Sequence, residues 1–146
     1  MKKIFIYYSL SGNGDAVAEY LKTKGYDIRK VESDEKMPKS TFLRILKGGY
    51  LAMRNHKPKL KDFDSNIESY KEIIIGSPIW NGRLACPINS VLDILDLKDK
   101  KLSFIFYSGS GSSPKATEKV SMLYPKADII NMIEPKNNLE SLKSLQ

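Results

Sequence analysis

Short, continuous apolar runs alternate with apolar stripes of helical spacing along this sequence, and that alternation limits the folds open to it. Four runs predict strands that are buried on both faces: Ile4–Tyr8, Ile73–Gly76, Leu102–Tyr107 and Asp128–Met132. The half-polar stretch Asp27–Val31 predicts a fifth strand nearer an edge. Alternation of strands and helices indicates an α/β fold, with a parallel sheet between helices on both faces.

The predicted helices are marked by apolar residues three or four positions apart, which we expect to pack onto the sheet. The stripes comprise Val17, Tyr20, Leu21 and Lys24; Phe42, Ile45, Leu46, Gly49 and Met53; Ile88, Val91, Leu92 and Leu95; and Ala116, Val120 and Leu123. A last helix is predicted over Asn138–Leu145. The pair Gly48-Gly49 favours a kink or close backbone packing, because each glycine costs a helix about 1 kcal/mol relative to alanine. The length of 146 residues predicts a single domain over residues 1–146.

The single cysteine, Cys86, excludes an internal disulfide and fits a reducing compartment. The first ten residues, MKKIFIYYSL, begin like a secretory signal. Their apolar run gives way to Ser11–Asp15 without a small-residue cleavage site, so we interpret them as a buried strand. No stretch approaches the ~20 apolar residues needed to cross a bilayer. We therefore expect a cytoplasmic protein without a membrane partner.

Most of the net charge of +7 comes from one segment, Lys36–Lys61, whereas the remainder of the chain is close to neutral. The eight basic residues of this segment, which has no acidic residue, are Lys36, Lys39, Arg44, Lys47, Arg54, Lys57, Lys59 and Lys61. Such a segment attracts nucleic acid, an anionic membrane or an acidic partner protein, or is an ordinary solvated face. Its only aromatic residues are Phe42 and Tyr50, at least one of which we expect in the core, and this disfavours nucleic acid.

Three loops follow predicted strands at the edge where doubly wound sheets bind ligands. The first runs from a strand into a helix and offers hydroxyls, an amide and backbone N–H groups that suit a phosphate. Its residues are Ser9, Leu10, Ser11, Gly12, Asn13 and Gly14. The triphosphate-binding motif G-x-x-x-x-G-K-[ST] is absent, because no lysine follows the glycines.

The dinucleotide fingerprint G-x-G-x-x-G is matched at two of its three glycines, Gly12 and Gly14. Glu32 lies 20 residues after Gly12, near the distance of a ribose-binding carboxylate, but Val17 occupies the third glycine position. A simple strand-to-helix turn capped by Ser11 or Asn13 remains the alternative for this loop.

The second loop offers an aromatic side chain, and the third offers small residues with exposed backbone N–H groups. An exposed indole at Trp80 can stack on a flat ligand, or can fold back over the protein's own core. The second loop comprises Ser77, Pro78, Ile79, Trp80, Asn81 and Gly82. The third loop allows close backbone approach to a ligand, or is only a flexible turn. It comprises Ser108, Gly109, Ser110 and Gly111.

Together these loops resemble the flavodoxin family. YYSLSGN (7–13) is similar to the family's phosphate loop, IIIGSPIWNG (73–82) to the loop with a flavin-stacking tryptophan, and FIFYSGSG (104–111) to the loop at the pyrimidine end of the flavin. The resemblance covers nearly the whole chain, and the tryptophan loop is its most specific motif. It implies a flavodoxin-like three-layer sandwich, with a five-stranded parallel sheet of order 2-1-3-4-5.

The resemblance also implies the cofactor FMN. Ser9, Ser11 and Asn13 would hold its phosphate, Trp80 would stack on the isoalloxazine, and Ser108–Gly111 would line the polar edge of the ring. Gly14 departs from the threonine or serine usual in the family, and Asp15 adds a negative charge, so both departures weaken phosphate binding. No second aromatic residue is placed to cover the other face of the flavin, which is left for a substrate or partner.

The implied function is electron transfer between partner proteins or from a nicotinamide donor, with an acidic redox partner docking near Lys36–Lys61. The short chain leaves little room for a nicotinamide pocket, which favours a shuttle over a reductase. Neither catalytic side chains nor a metal site is predicted: His56 is expected at the surface, and Cys86 is expected to be a structural thiol. The alternative is a binding or scaffold module without FMN that uses the basic segment. We expect a monomer or a weak dimer.

Overall fold

The structure is a computed structural model that describes residues 2–145. Its strands are β1 (Lys2–Tyr7), β2 (Asp27–Lys30), β3 (Tyr70–Trp80), β4 (Arg83–Leu84), β5 (Lys101–Ser108) and β6 (Asp128–Ile133). Its α-helices are α1 (Asn13–Thr23), α2 (Thr41–Met53), α3 (Cys86–Ile94) and α4 (Pro114–Leu123). Two 3₁₀ helices follow β6, at Pro135–Asn137 and Leu139–Ser144.

Five of the strands form a parallel sheet in the order β2-β1-β3-β5-β6. The short β4 pairs with the end of β3 in an antiparallel hairpin. Counting the five long strands alone, this is the predicted order 2-1-3-4-5, so the predicted α/β class and strand order are confirmed. Because all five run in one direction, their carboxyl ends lie at one edge of the sheet.

Alternate side chains of the strands fill two separate cores, one on each face of the sheet. In β1, Ile4 and Ile6 point into the core covered by α3 and α4, whereas Phe5 and Tyr7 point into the core covered by α1. This period of two explains why the strands read as continuous apolar runs, since both faces are covered. Each fully buried side chain of this size contributes roughly 1.5–3 kcal/mol to folding.

The predicted C-terminal α-helix over Asn138–Leu145 is wrong, because this segment forms 3₁₀ turns. Leu142 and Leu145 are both buried in the core on the α1 side. Residues three apart lie on one face of a 3₁₀ helix, which has three residues per turn. The three-residue spacing of these leucines therefore matches the tighter helix.

The third strand is longer than predicted and ends in a hairpin. The expected strand ended at Gly76, but β3 continues to Trp80, which pairs with Arg83 of β4. The two turn residues, Asn81 and Gly82, both have positive φ, of 51° and 74°. An Asn-Gly pair with positive φ at both positions is typical of the two-residue turn that matches the twist of a hairpin.

The apolar stripe of α2 does not pack onto the sheet, contrary to the prediction. Phe42 is 68% exposed and Tyr50 57% exposed, so the expectation that one of them lies in the core is also wrong. Gly48 and Ala52 form the buried side of this helix instead. Their small size lets the helix lie close to the protein while its large side chains face outward. Leu123, at the end of α4, is likewise 55% exposed.

Within residues 2–145, every helix is too short or too polar to cross a membrane.

Candidate functional site

The loop between β1 and α1 presents backbone N–H groups at the start of the helix. Gly12, with φ of 95°, precedes α1, and its carbonyl accepts a hydrogen bond from the amide of Ala16 at 3.1 Å. The amide of Gly14 donates to Ser9 Oγ at 3.0 Å. Within residues 2–145, the amides of Gly12 and Asn13 have no acceptor. Free N–H groups at a helix start suit an anion such as a phosphate.

The residues packed around Gly14 leave no room for a side chain at this position. A Cβ at this position would lie 2.5 Å from the Tyr107 hydroxyl, 2.7 Å from Tyr7 Cδ2 and 2.8 Å from Ser9 Cβ. Tyr107 is buried, and its hydroxyl donates to the carbonyl of Tyr8. The side chain expected at position 14 is therefore absent because a tyrosine from β5 occupies its space.

The charge of Asp15 is compensated locally. Its carboxylate accepts hydrogen bonds from the Tyr7 hydroxyl at 2.7 Å and from Lys30 Nζ at 2.9 Å. Burial alone raises the pKa of Asp15, but the bonds from Lys30 and Tyr7 outweigh it and lower that pKa below its usual value. The carboxylate that was expected to weaken phosphate binding thus belongs to an ion pair beside the loop.

A lysine far along the chain completes the first loop. Lys136, in the 3₁₀ turn after β6, donates from Nζ to the carbonyl of Ser11 at 2.8 Å. Its backbone amide donates to Asn13 Oδ1 at 3.2 Å, so the buried Asn13 side chain positions the turn rather than reaching into the loop. Lys136 could not be predicted from the sequence, because a lone lysine more than 120 positions from the loop carries no local signal.

Trp80 lies beside the first loop. Its indole meets the ring of Tyr8 edge-on, with ring centroids 5.8 Å apart and an interplanar angle of 85°. A Cβ on Gly48 would lie 3.0 to 3.4 Å from Cδ2, Cε3 and Cε2 of the indole, so α2 covers one face of that ring. Close packing was one of the two expectations for Gly48-Gly49, and the structure confirms it for Gly48. The indole is half-buried, so part of it stays accessible.

The other residues of the second loop are mainly structural. Ser77 is fully buried, and its hydroxyl donates to the Pro78 carbonyl and accepts from the Ala85 amide. Pro78 continues the sheet opposite Tyr107, and Ile79 packs on the core beside α3.

Serine side chains of the third loop accept hydrogen bonds from two backbone amides in the same segment. The amide of Gly111 donates to Ser108 Oγ at 2.8 Å, and that of Ser112 donates to Ser110 Oγ at 3.2 Å. Gly111 has a φ of 74°, and a Cβ there would lie 2.9 Å from Ile133. Gly109, in contrast, meets only the Glu134 carboxylate, at 3.7 Å from its would-be Cβ, so a ligand edge can approach here.

The structure brings the three predicted loops together. The first and second meet through the rings of Tyr8 and Trp80, and β5, which leads into the third loop, meets the first through the hydroxyl of Tyr107. The second loop also contacts α4, which follows the third loop, because the amide of Ala116 donates to the carbonyl of Gly82 at 2.9 Å. A cavity of about 390 Å³ runs alongside the first loop, bounded by Tyr8, Ser9, Leu10 and, on α2, Arg44.

Cys86 and His56 do not reach this edge as reactive groups. Cys86 is buried at the start of α3, and burial raises the pKa of its thiol to about 11. This position fits the structural role expected for Cys86. His56 is half-exposed and lies 3.5 Å from the Glu35 carboxylate, as measured from Nε2. Within the described part of the chain, no three His, Cys, Asp or Glu residues are arranged to hold a metal ion.

The model of the family described as Flavodoxin matches residues 2–142. A candidate flavoprotein from Bacteroides eggerthii DSM 20697 has a TM-score of 0.79 at 20% identity, covering 99% of this chain and 94% of its own. A flavoprotein from Lactobacillus acidophilus NCFM, crystallised in complex with FMN, has a TM-score of 0.68 at 22% identity, covering 95% and 97%. No curated protein matches the sequence.

Proposed function

The chain belongs to the flavodoxin family, and from that premise we propose that it binds FMN at the three loops and transfers electrons through it. The observation that carries the proposal is the shared position of Tyr8, whose ring contacts Trp80 and whose carbonyl accepts from Tyr107. This residue directly precedes Ser9, so an anion-binding loop and an accessible indole meet at one sheet edge. The FMN complex of the Lactobacillus acidophilus flavoprotein supports the choice of cofactor.

The phosphate end of FMN would be held by the start of α1. The free amides of Gly12 and Asn13 would donate to phosphate oxygens, and the ammonium group of Lys136 would supply positive charge. Ser9 and Ser11 provide hydroxyls on the same loop. The ion pair between Asp15 and Lys30 keeps the nearby carboxylate from opposing the phosphate.

The flat end of FMN would lie against Trp80, with the backbone near Gly109 at its polar edge. When bound, FMN supplies the redox chemistry of its isoalloxazine ring, while the protein sets binding, orientation and potential. Trp80 is held for this purpose by Tyr8 at its edge and by Gly48 on one face.

We favour transfer between partner proteins over a nicotinamide-dependent reductase. The chain has 146 residues, and the residues at the three loops supply hydrogen bonds and one aromatic ring rather than acid–base chemistry. A one-electron shuttle needs only a bound flavin and a docking surface. The cytoplasmic location expected from the single cysteine stays a prediction.

The test is reconstitution of the purified protein with FMN. We expect a yellow complex with flavin absorption bands, and quenching of Trp80 fluorescence during titration, which is readable because the chain has one tryptophan. Trp80→Leu should weaken FMN binding about tenfold or more, as expected for losing a stacked aromatic ring worth about 1–3 kcal/mol. Met122→Leu, on the exposed surface of α4, is the matched control.

A binding module without FMN is the second candidate. The observation in its favour is the packing of α2 on the indole of Trp80, which gives this tryptophan a structural role of its own. A colourless protein that stays free of FMN after reconstitution would establish this candidate and exclude the first.

A further inference from the structure

One side of α2 is apolar and open to solvent. We call it the α2 face; it comprises Phe42, Leu43, Ile45, Leu46, Tyr50 and Met53, each at least 50% exposed. The six side chains lie within twelve residues of one helix and form a continuous stripe. Monomeric proteins rarely expose apolar patches of this kind, and a large one marks an interaction site.

The edge of the α2 face is basic. Arg44, Lys47 and Arg54 follow one flank of the stripe, and residues 36–61 contain no acidic side chain. Lys47 is paired with Glu35 at 3.2 Å. Arg44 and Arg54 have no carboxylate partner within residues 2–145. An occupant of the α2 face must therefore supply negative charge around an apolar centre.

This charge pattern disfavours a second copy of the chain as the occupant. A two-fold dimer places the same patch on both sides of the interface. When the two α2 helices pack antiparallel, Arg44, Lys47 and Arg54 of each copy face the same basic flank of the other. Like charges brought together in this way oppose association.

The helix that carries the α2 face also forms one wall of the proposed flavin site. The opposite side of the helix presents Gly48 to the indole of Trp80, and Arg44 borders the cavity beside Ser9. A molecule docked on the α2 face would therefore be separated from this indole by one helix, about 10 Å in diameter. This position favours an electron donor or acceptor over a bilayer, because only electron transfer depends on the distance to the flavin. The α2 face and its flank also contain aromatic, methionine and arginine side chains, which are enriched in protein interfaces.

We propose that the α2 face is the docking surface for an acidic protein that carries a one-electron centre. This inference rests on the proposed function, because it names the partner of the same site. Apolar side chains at the centre provide affinity, whereas Arg44 and Arg54 attract the partner and orient it.

The experiment uses the FMN-loaded protein and a small acidic [2Fe–2S] ferredoxin as the probe. Its dissociation constant is measured by calorimetry, and the rate of electron transfer from the reduced ferredoxin by stopped flow. We expect Ile45→Glu to weaken binding and slow the second-order rate at least tenfold, since it places a carboxylate in the apolar centre. The matched control is Met122→Glu, at a similarly exposed position of α4, which should change both the dissociation constant and the rate by less than twofold.

Further measurements separate the proposal from its rivals. The FMN dissociation constant should be the same for the parent protein, Ile45→Glu and Met122→Glu. Basic cytochrome c, the charge-reversed probe, should react equally with all three. If the protein fails to hold FMN, the proposed function fails, but calorimetry with ferredoxin still decides the docking surface.

Three results would overturn the proposal. One is an equal response of ferredoxin binding to Ile45→Glu and Met122→Glu. Another is co-sedimentation with phosphatidylserine vesicles that Ile45→Glu abolishes, which would assign the α2 face to an anionic bilayer. The third is a dimer in light scattering that Ile45→Glu converts to a monomer, which would assign it to a second copy.

Discussion

The hydroxyl of Tyr107, on β5, lies 2.5 Å from the point that a Cβ on Gly14, in α1, would occupy. A side chain at position 14 would therefore clash with this hydroxyl. The same hydroxyl donates to the carbonyl of Tyr8, at the start of the first loop. Gly14 therefore departs from the usual threonine or serine for a steric reason, and the loop keeps its shape through a tyrosine on a neighbouring strand.

Gly14→Ala should destabilise the protein by roughly 1–3 kcal/mol, as expected for overpacking a buried position. In Tyr107→Phe the hydroxyl is gone and space opens beside position 14, at the cost of one hydrogen bond of about 1 kcal/mol. The double variant should therefore lose less stability than the two single variants together. Urea unfolding of the four proteins measures this coupling, and strict additivity would contradict this clash.

Lys136→Met should weaken the binding of FMN but leave riboflavin binding unchanged. Lys136 Nζ donates to the Ser11 carbonyl in the loop that we propose holds the phosphate, and riboflavin has no phosphate. The loss of one charge-assisted hydrogen bond predicts an increase of about tenfold in the FMN dissociation constant.

Fluorescence titration with both flavins measures this difference. Lys143→Met is the matched control, since Lys143 lies in the same C-terminal segment but pairs with Glu140. An equal loss of riboflavin affinity in Lys136→Met would show that Lys136 supports the fold rather than the phosphate.

The ion pair of Asp15 with Lys30 should make the free energy of unfolding depend on pH in the acid range. Because the folded protein lowers the pKa of Asp15, its contribution is fully present above the unfolded pKa and is lost as pH falls through the folded value. The difference in unfolding free energy between the parent protein and Asp15→Asn should therefore vanish in strong acid. Urea unfolding from neutral pH to pH about 2 tests this, and a difference independent of pH would contradict it.

The sequence was sufficient for the parts of the fold that depend on local pattern. Continuous apolar runs predicted four strands of the parallel sheet and a half-polar stretch predicted the fifth, whereas their order followed from the resemblance to the flavodoxin family. The three loops were located because small and polar residues follow those strands directly. The prediction that the third strand ends at Gly76 is too short, whereas the Asn81-Gly82 pair, a strong hairpin signal, follows the observed end of β3 at Trp80.

Contacts between distant residues were beyond the sequence. A helical apolar stripe indicates that one side of α2 is apolar, but not that Gly48 and Ala52 form the buried side. The meeting of Lys136 with Ser11 depends on how the chain turns after β6, and the contact of Tyr107 with Gly14 depends on strand register. Neither leaves a local pattern.

Cys86 should react slowly with thiol reagents in the folded protein. It is 1% exposed, and burial raises the pKa of its thiol to about 11, so little thiolate is present at pH 8. Labelling with a disulfide reagent at pH 8 should accelerate greatly when guanidinium chloride is added. Free glutathione under the same conditions provides the reference rate for an exposed thiol. A folded protein labelled as fast as glutathione would contradict the structural role.

The potential of the flavin should be less negative than in acidic members of the family. Reduced FMN carries an added negative charge, which an acidic surface opposes and the net charge of +7 favours. Salt separates this effect from local contacts, because the Debye length falls from about 30 Å at 0.01 M to about 3 Å at 1 M. Spectroelectrochemical titration should therefore show the potential falling as salt is added, opposite to the trend for an acidic flavodoxin. A potential that rises with salt would show that the basic segment does not act on the flavin.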